Sequence, residues 1–265
     1  MVPKLKPVKT DSLKDVCVTR FEELIISGKL SPGQKLPSER ELALQLGVSR
    51  PVVHEALVDI AAKGLVSLKP RIGSIVNDYR KEGSLALLNS LVSYHNGMLE
   101  PKLLDGLLDM RILFETENAK LAARNRTDEQ AGELNQLVHQ EQDAARNEMH
   151  LLTELDFQFH LLLAISTGNP SYPLLLNSFK QVYTNLTGLF FSLPSVIPAV
   201  LGFHHQLAAA IEKKDEDYAV NVMTRLLTHG EKTLQEIITE YGGSNDLTGV
   251  KKRNSRDQKT KKPVR

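Results

Sequence analysis

Tryptophan is missing from all 265 residues, and there is a single cysteine, Cys17. One thiol cannot close an internal disulfide, so burial and hydrogen bonding must hold the fold, as in a reducing cytoplasm. Cys17 falls among apolar residues of a predicted helix and reads as a small core residue. Aromatic residues make up only 5% of the chain, within a hydrophobic content of 41%. No apolar run is long enough to span a bilayer, and no signal peptide is evident, so the expectation is a cytoplasmic, nucleoid-associated protein with no membrane partner. Strand signal is almost absent beyond residue 76.

Net charge is also nearly absent, at +1, but that total conceals an asymmetry. Residues 1–76 carry 12 Lys and Arg against 8 Asp and Glu, residues 77–250 carry 13 against 23, and residues 251–265 carry 8 against 1. A basic front on an acidic body orients a protein on a polyanion, with salt-dependent affinity.

What is present is sharpest in LPSERELALQLGVSRPVVHEALVDIAAKGLVSLKPRIGSIV, residues 36–76. Ser38 and Glu41 form an S-x-x-E capping box, and Gly47 ends the helix that follows. Ser49 is placed to cap a second helix with Pro51 in its first turn, and Gly64 stops it. Two helices on so short a turn form a helix-turn-helix, whose second helix enters the DNA major groove. Leu65–Leu68 and Ser74–Val76 then read as a hairpin, a wing whose tip carries Lys69, Arg71 and Gly73.

The remainder of the chain follows the same logic. Residues 1–10 read as a flexible N-terminus. A first helix runs from Asp11 or Ser12 to about Ser27, completing a winged domain over 11–76. Residues 77–83 form a charged linker. Helices are expected at about 84–94, 101–125, 127–147, 150–167, 171–191, 196–213 and 216–241, making a bundle over 84–241. Residues 242–265 are a basic tail too polar to fold alone. The fold class is mainly α: an N-terminal winged helix-turn-helix plus a C-terminal all-α helical bundle.

The stretch LPSERELALQLGVSRPVVHEAL resembles the DNA-binding domain of GntR-family bacterial regulators. That resemblance implies DNA contacts at Arg40, Ser49, Arg50 and, in the wing, Gly73. The basic wing tip adds Arg71. The family commonly has arginine where this chain has His54, four residues after Arg50 on the same face. The bland alternative is that Arg40 pairs with Glu39 or Glu41 and His54 caps a solvated face. The helical half resembles the effector-binding, FCD-type domain of the FadR subgroup, carried by ELDFQFHLLLAISTGNPSYPLLLNSFKQVY and FHHQL.

Most members of that subgroup hold a divalent metal with one Asp and three His. By resemblance the matching positions are Asp156, His160 and His204, with Leu226 at the fourth, where no ligand is possible. His229, one turn on, is the conceivable substitute. Asp156 and His160 stand at i and i+4, on one helix face. Such a donor set suits Zn, Ni or Mn. The alternative is that Asp156 and His160 form a buried hydrogen-bonded pair with His204 a partly exposed polar residue, and the acyl-CoA-responsive branch dispenses with the metal. The Tyr and Trp that help hold acyl-CoA there have no counterpart in LLTHGEKTLQEI. Arg111 is placed to meet an acidic effector, a carboxylate metabolite or acyl-CoA, or else to pair with Glu115. Tyr183 and Asn185 are further pocket-lining candidates.

The resulting expectation is a homodimeric, sequence-specific transcription repressor on a palindromic double-stranded DNA operator, modulated by a small acidic effector. Two rivals belong to other classes: a metal-dependent hydrolase using Asp156, His160 and His204, and a DNA-binding dimer whose bundle binds nothing.

Overall fold

The computed structural model describes residues 12–94 and 100–242. The N-terminus 1–10 and, except for Gly242, the basic tail lie outside the described residues. The chain divides into two compact units, residues 1–104 with 178–182, and 105–177 with 183–265.

The first unit opens with α1 (Leu13–Ile26), capped by the Ser12 hydroxyl on the Asp15 N–H. Next comes α2 (Glu39–Leu46), with both halves of the Ser38/Glu41 capping box formed and Gly47 left-handed at φ 67°. Helix α3 (Arg50–Ala62) starts differently from expectation. Ser49 is extended at its N-cap but makes no side-chain cap hydrogen bond. Pro51 in the first turn has already removed one donor that a cap would serve. Val53, Ala56, Leu57 and Ile60 of α3 are fully buried, and they pack the helix on α1 and α2. Burying each of the larger three is worth roughly 1.5–3 kcal/mol.

The wing is an antiparallel pair, β1 (Val66–Lys69) and β2 (Gly73–Val76). Its tip turns through Arg71 at φ 63° and Gly73 at φ 109°. The segment before α2 pairs with the wing's outer edge: Leu36 N–H donates to Ser74 O (2.9 Å), Val76 N–H to Gln34 O (2.9 Å) and Gly33 N–H to Val76 O (2.7 Å). The expected linker is not all coil. Asp78 caps a single helical turn, α4 (Tyr79–Glu82). Gly64 is required beside it: at φ +79°, a Cβ there would sit 1.9 Å from the Glu82 carbonyl oxygen. Helix α5 (Ala86–Tyr94) packs on α1. Glu22 of α1 accepts from Lys63 Nζ (2.5 Å) and from Ser90 Oγ of α5 (2.9 Å).

The second unit is helical throughout the described residues: α6 (Pro101–Asn125), α7 (Asp128–Asn147), α8 (Leu152–Ser166), α9 (Ser171–Ser178), α10 (Lys180–Phe190), α11 (Ile197–Glu212) and α12 (Glu216–Gly242). The single helix expected over 171–191 is broken at Phe179. The apolar periodicity runs straight through that break, so the pattern could not reveal it. Helix α7 packs on both α8 and α11, and α11 on α12. Between them lie Leu134, Phe157, Phe159, Leu163, Leu207 and Met223, each at most 1% exposed. Among the described residues no single helix is long and apolar enough to cross a membrane.

Candidate functional site

Two places concentrate the chemistry singled out in the sequence. The first is the exposed face of the winged unit. Arg50 and His54, at i and i+4 on α3, share one outward face with side chains 72% and 57% exposed. Both reach Glu39, the first residue of α2. Arg50 Nε donates to Oε2 at 2.9 Å, and His54 Nδ1 lies 2.7 Å from Oε1. The two partners hold the Glu39 carboxyl below its usual range, His54 contributing most.

The pairing foreseen for Arg40 is therefore not the one observed. Glu39 is occupied across the helix junction, Glu41 serves the Ser38 cap, and Arg40 makes no ion pair among the described residues. Arg40, Arg50 and Gly73 line one cleft of about 540 Å³ together with Lys35 and Ser38. Ser49 and Arg71 are exposed beside it. Lys35 had escaped notice because no helical or wing motif contains it. Its backbone bridges to Ile75, which sets its side chain against Gly73.

The second place is a buried polar centre inside the bundle. Helix spacing builds it, because each i, i+4 pair shares a face. Arg111 and Glu115 come from α6, Asp156 and His160 from α8, Tyr183 and Thr187 from α10. Glu141 of α7 and His204 of α11 complete it. Asp156, Glu115, Glu141, His160 and His204 are all at most 6% exposed. Arg111 pairs with Glu115, and its Nη2 donates to the Tyr183 hydroxyl at 2.9 Å. Tyr183 in turn donates to Asp156 Oδ2 at 2.6 Å. His160 Nδ1 meets Glu115, and His204 Nδ1 lies 2.9 Å from both oxygens of Glu141. His204 also stacks on Phe159, centroids 4.2 Å apart.

Burial alone would raise the Glu115 carboxyl, but Arg111 and His160 outweigh it and hold it at about 2. Burial likewise disfavours protonated His204, yet the charge and hydrogen bond of Glu141 raise it above the usual imidazole value. Burial pushes the Tyr183 phenol well up, so it remains a donor to Asp156. Three buried carboxylates face one guanidinium here, two negative charges in excess when both imidazoles are neutral. Protons, on the histidines or on a carboxyl, or a bound cation must offset that excess, because unpaired buried charge is costly.

The residues fit a cation on two counts. One ligand atom from each of Asp156, His160 and His204 lies within 4.8 Å of the others. His204 Nε2, buried without a hydrogen-bond partner, is 3.7 Å from Asp156 Oδ1. His204 turns Nδ1 to Glu141, the arrangement that orients metal-binding histidines, whereas His160 Nδ1 lies against Glu115 without a hydrogen bond. Against a full set, Leu226 lines the adjoining cavity where the fourth ligand is expected.

His229 does not replace it. Helix α12 turns Leu226, Leu227, Gly230 and Leu234 to the cavity, whereas His229 is rotated off that face, near Phe190 and Phe203 at ring-centroid distances of 6.2 Å. Asn185 is also turned away. It is exposed, while Tyr183, Thr187 and Phe190 form the buried face of α10; a step of two residues rotates a side chain to the far side of a helix. The cavity beside Arg111 encloses about 30 Å³, room for a water or an ion.

A winged helix-turn-helix followed by a helical bundle is the build of a DNA-binding regulator. Comparison with known proteins makes this specific. Residues 14–76 match the gntR family of bacterial regulatory proteins, and residues 77–240 match the FadR C-terminal domain. The fatty acid metabolism regulator protein of Klebsiella pneumoniae subsp. pneumoniae is 31% identical over 203 residues, 77% of this chain and 82% of that protein. Its namesake in Salmonella paratyphi B is 30% identical over the same coverage. Among solved structures, Lar of Listeria monocytogenes superposes with a TM-score of 0.61 at 16% identity, covering 86% of this chain and 99% of that one, a likeness of fold alone. The chain belongs to the GntR family, with a FadR-type C-terminal domain, and is a DNA-binding transcription regulator. Both matched families and these relatives are regulators, not enzymes, so the hydrolase alternative falls.

Proposed function

We propose that the protein is a homodimeric repressor that releases a palindromic operator when its bundle binds a small carboxylate through a divalent metal. Each protomer lays α3 in the major groove of one half-site, with Arg40, Ser49, Arg50 and His54 toward the DNA. The wing brings Arg71 and Gly73 alongside. Protein two-fold symmetry is what makes the operator palindromic. In the bundle, Asp156, His160 and His204 hold the ion, which supplies a Lewis-acidic anchor for an anionic ligand. Arg111, at the cavity wall, provides the second positive charge that a carboxylate needs. Effector binding acts by population shift: the ligand prefers the geometry that cannot span both half-sites.

The observation that carries this reading is buried His204, its Nδ1 held by Glu141 and its Nε2 without a hydrogen-bond partner beside Asp156. The test is native mass spectrometry with elemental analysis of the full chain purified without chelator. A dimer with one divalent ion per chain, lost in His160→Ala, is expected. A dimer that stays metal-free when titrated with Zn, Ni and Mn overturns the metal.

One observation favours a second reading. The cavity wall beyond Arg111 is apolar, with Phe190, Val200, Leu226, Leu227 and Leu234, and the relatives are named for fatty acid metabolism. An acyl-CoA effector fits that chemistry but needs the bundle to open well beyond 30 Å³. Stabilisation by long-chain acyl-CoA in EDTA, with operator release, identifies this reading. Stabilisation by short carboxylates only with metal identifies the first.

A further inference from the structure

Arg50 and His54 share one anchor. Glu39 is only 27% exposed at its side chain, and its two carboxylate oxygens go to two different side chains of the next helix: Oε2 to Arg50 Nε at 2.9 Å, Oε1 to His54 Nδ1 at 2.7 Å. We propose that Glu39 is the positioning residue of the DNA-reading face, holding Arg50 and His54 as one rigid, pre-set fork. The proposal rests on the reading of α3 as the helix that enters the major groove.

The chemistry of the two bonds fixes what is presented outward. Arg50 spends Nε on Glu39, which leaves both terminal amino groups for a bidentate contact, the geometry that matches guanine O6 and N7. A carboxylate only accepts hydrogen bonds, so the ring nitrogen facing it, Nδ1, must carry the proton. Neutral His54 therefore presents Nε2 as a bare acceptor. Opposite it the complementary base edge is one with an exocyclic amine, cytosine N4 or adenine N6. An arginine at this position would offer donors only and favour guanine. Glu39 thus sets base preference at the His54 position without touching DNA. Its own negative charge opposes phosphate, so its contribution is to selectivity rather than to overall affinity.

The experiment is enrichment of 20-bp random duplexes on the full chain, run in parallel with Glu39→Gln. The wild type is expected to yield a motif with guanine beside an amine-bearing base in each half-site. If no motif emerges, the reading of α3 fails and this proposal falls with it. With a motif in hand, Glu39→Gln is expected to lower the ratio of selected-to-random affinity about tenfold, the scale of one long side chain's ordering entropy, while affinity for random duplex holds or rises. In an Arg50→Ala/His54→Ala background the same substitution is expected to leave base preference unchanged, as a residue acting only through those two must. Equal weakening on all duplexes, with a fall in Tm, means that Glu39 is merely structural and overturns the proposal, as does an unchanged ratio. Imidazole 15N shifts of the wild type provide a reading independent of any variant: the Nδ1–H tautomer supports the proposal, and an Nε2–H tautomer refutes it.

Discussion

Arg111→Met removes the guanidinium that faces Glu115 and keeps a side chain of similar length in the bundle. Glu115 is 2% exposed at its side chain and Arg111 is 27% exposed, so the carboxylate is left buried with His160 as its one remaining partner of those described above. Breaking a buried ion pair from one end costs roughly 3–5 kcal/mol, and partial exposure of Arg111 places this case near the lower figure. The lost hydrogen bond from Arg111 Nη2 to Tyr183 adds about 1 kcal/mol. A loss of about 4 kcal/mol is therefore expected. With no tryptophan in the chain, urea unfolding is best followed by far-ultraviolet circular dichroism, in EDTA so that metal does not contribute. The double variant Arg111→Met/Glu115→Gln should recover at least half the loss, since a neutral amide no longer needs the guanidinium. A single variant within about 0.5 kcal/mol of wild type, or a double variant as unstable as the single, would refute the description of Arg111 and Glu115 as a buried, mutually dependent pair.

Other consequences can be checked separately. Glu141→Gln leaves His204 in place but weakens the hydrogen bond that orients it, so zinc affinity by calorimetry should fall about 10- to 100-fold. Leu226→His supplies an imidazole at the cavity wall and should raise zinc affinity relative to wild type; no gain would mean that α12 does not aim position 226 at the ion. Gly64→Ala meets the Glu82 carbonyl at a φ that L residues avoid, so the winged unit should lose more than about 2 kcal/mol by thermal melting. The Glu39 carboxyl is depressed from 4.5; its hold on Arg50 is thus fully present above pH 4.5 and should weaken only as pH falls through the lower folded value, seen as loss of Arg50 Nε–H protection by NMR.

Punctuation was the most legible part of the chain. The Ser38/Glu41 box and Gly47 bound α2 as read, and α6 spans 101–125 as its periodicity indicates. Local signals reach only a few residues, however. His204 and Glu141 are 63 positions apart and His54 and Glu39 are 15 apart, so nothing in either local pattern announces that these carboxylates orient imidazoles. The same limit explains Lys35, placed by a backbone bridge to Ile75. His229 and Asn185 lie off the cavity by rotation rather than distance, because which face of α10 and α12 turns inward is fixed by how those helices pack.

The hydrogen bonds from residues 33–36 to the wing bear on which changes the reading head can absorb. A lone two-stranded hairpin is marginal in water, but this one is tied at its outer edge by three backbone bonds to a segment that runs within two residues into the Ser38 cap. Backbone bonds are indifferent to side-chain identity, so substitutions at Gln34 or Lys35 leave the tie intact. A deletion or insertion between Leu36 and Ser38 is different in kind. It would slide the wing's edge pairing by one residue and reverse which side chains face inward, shifting the wing and the reading helix out of step. The spacing of this segment is therefore held more tightly than its composition.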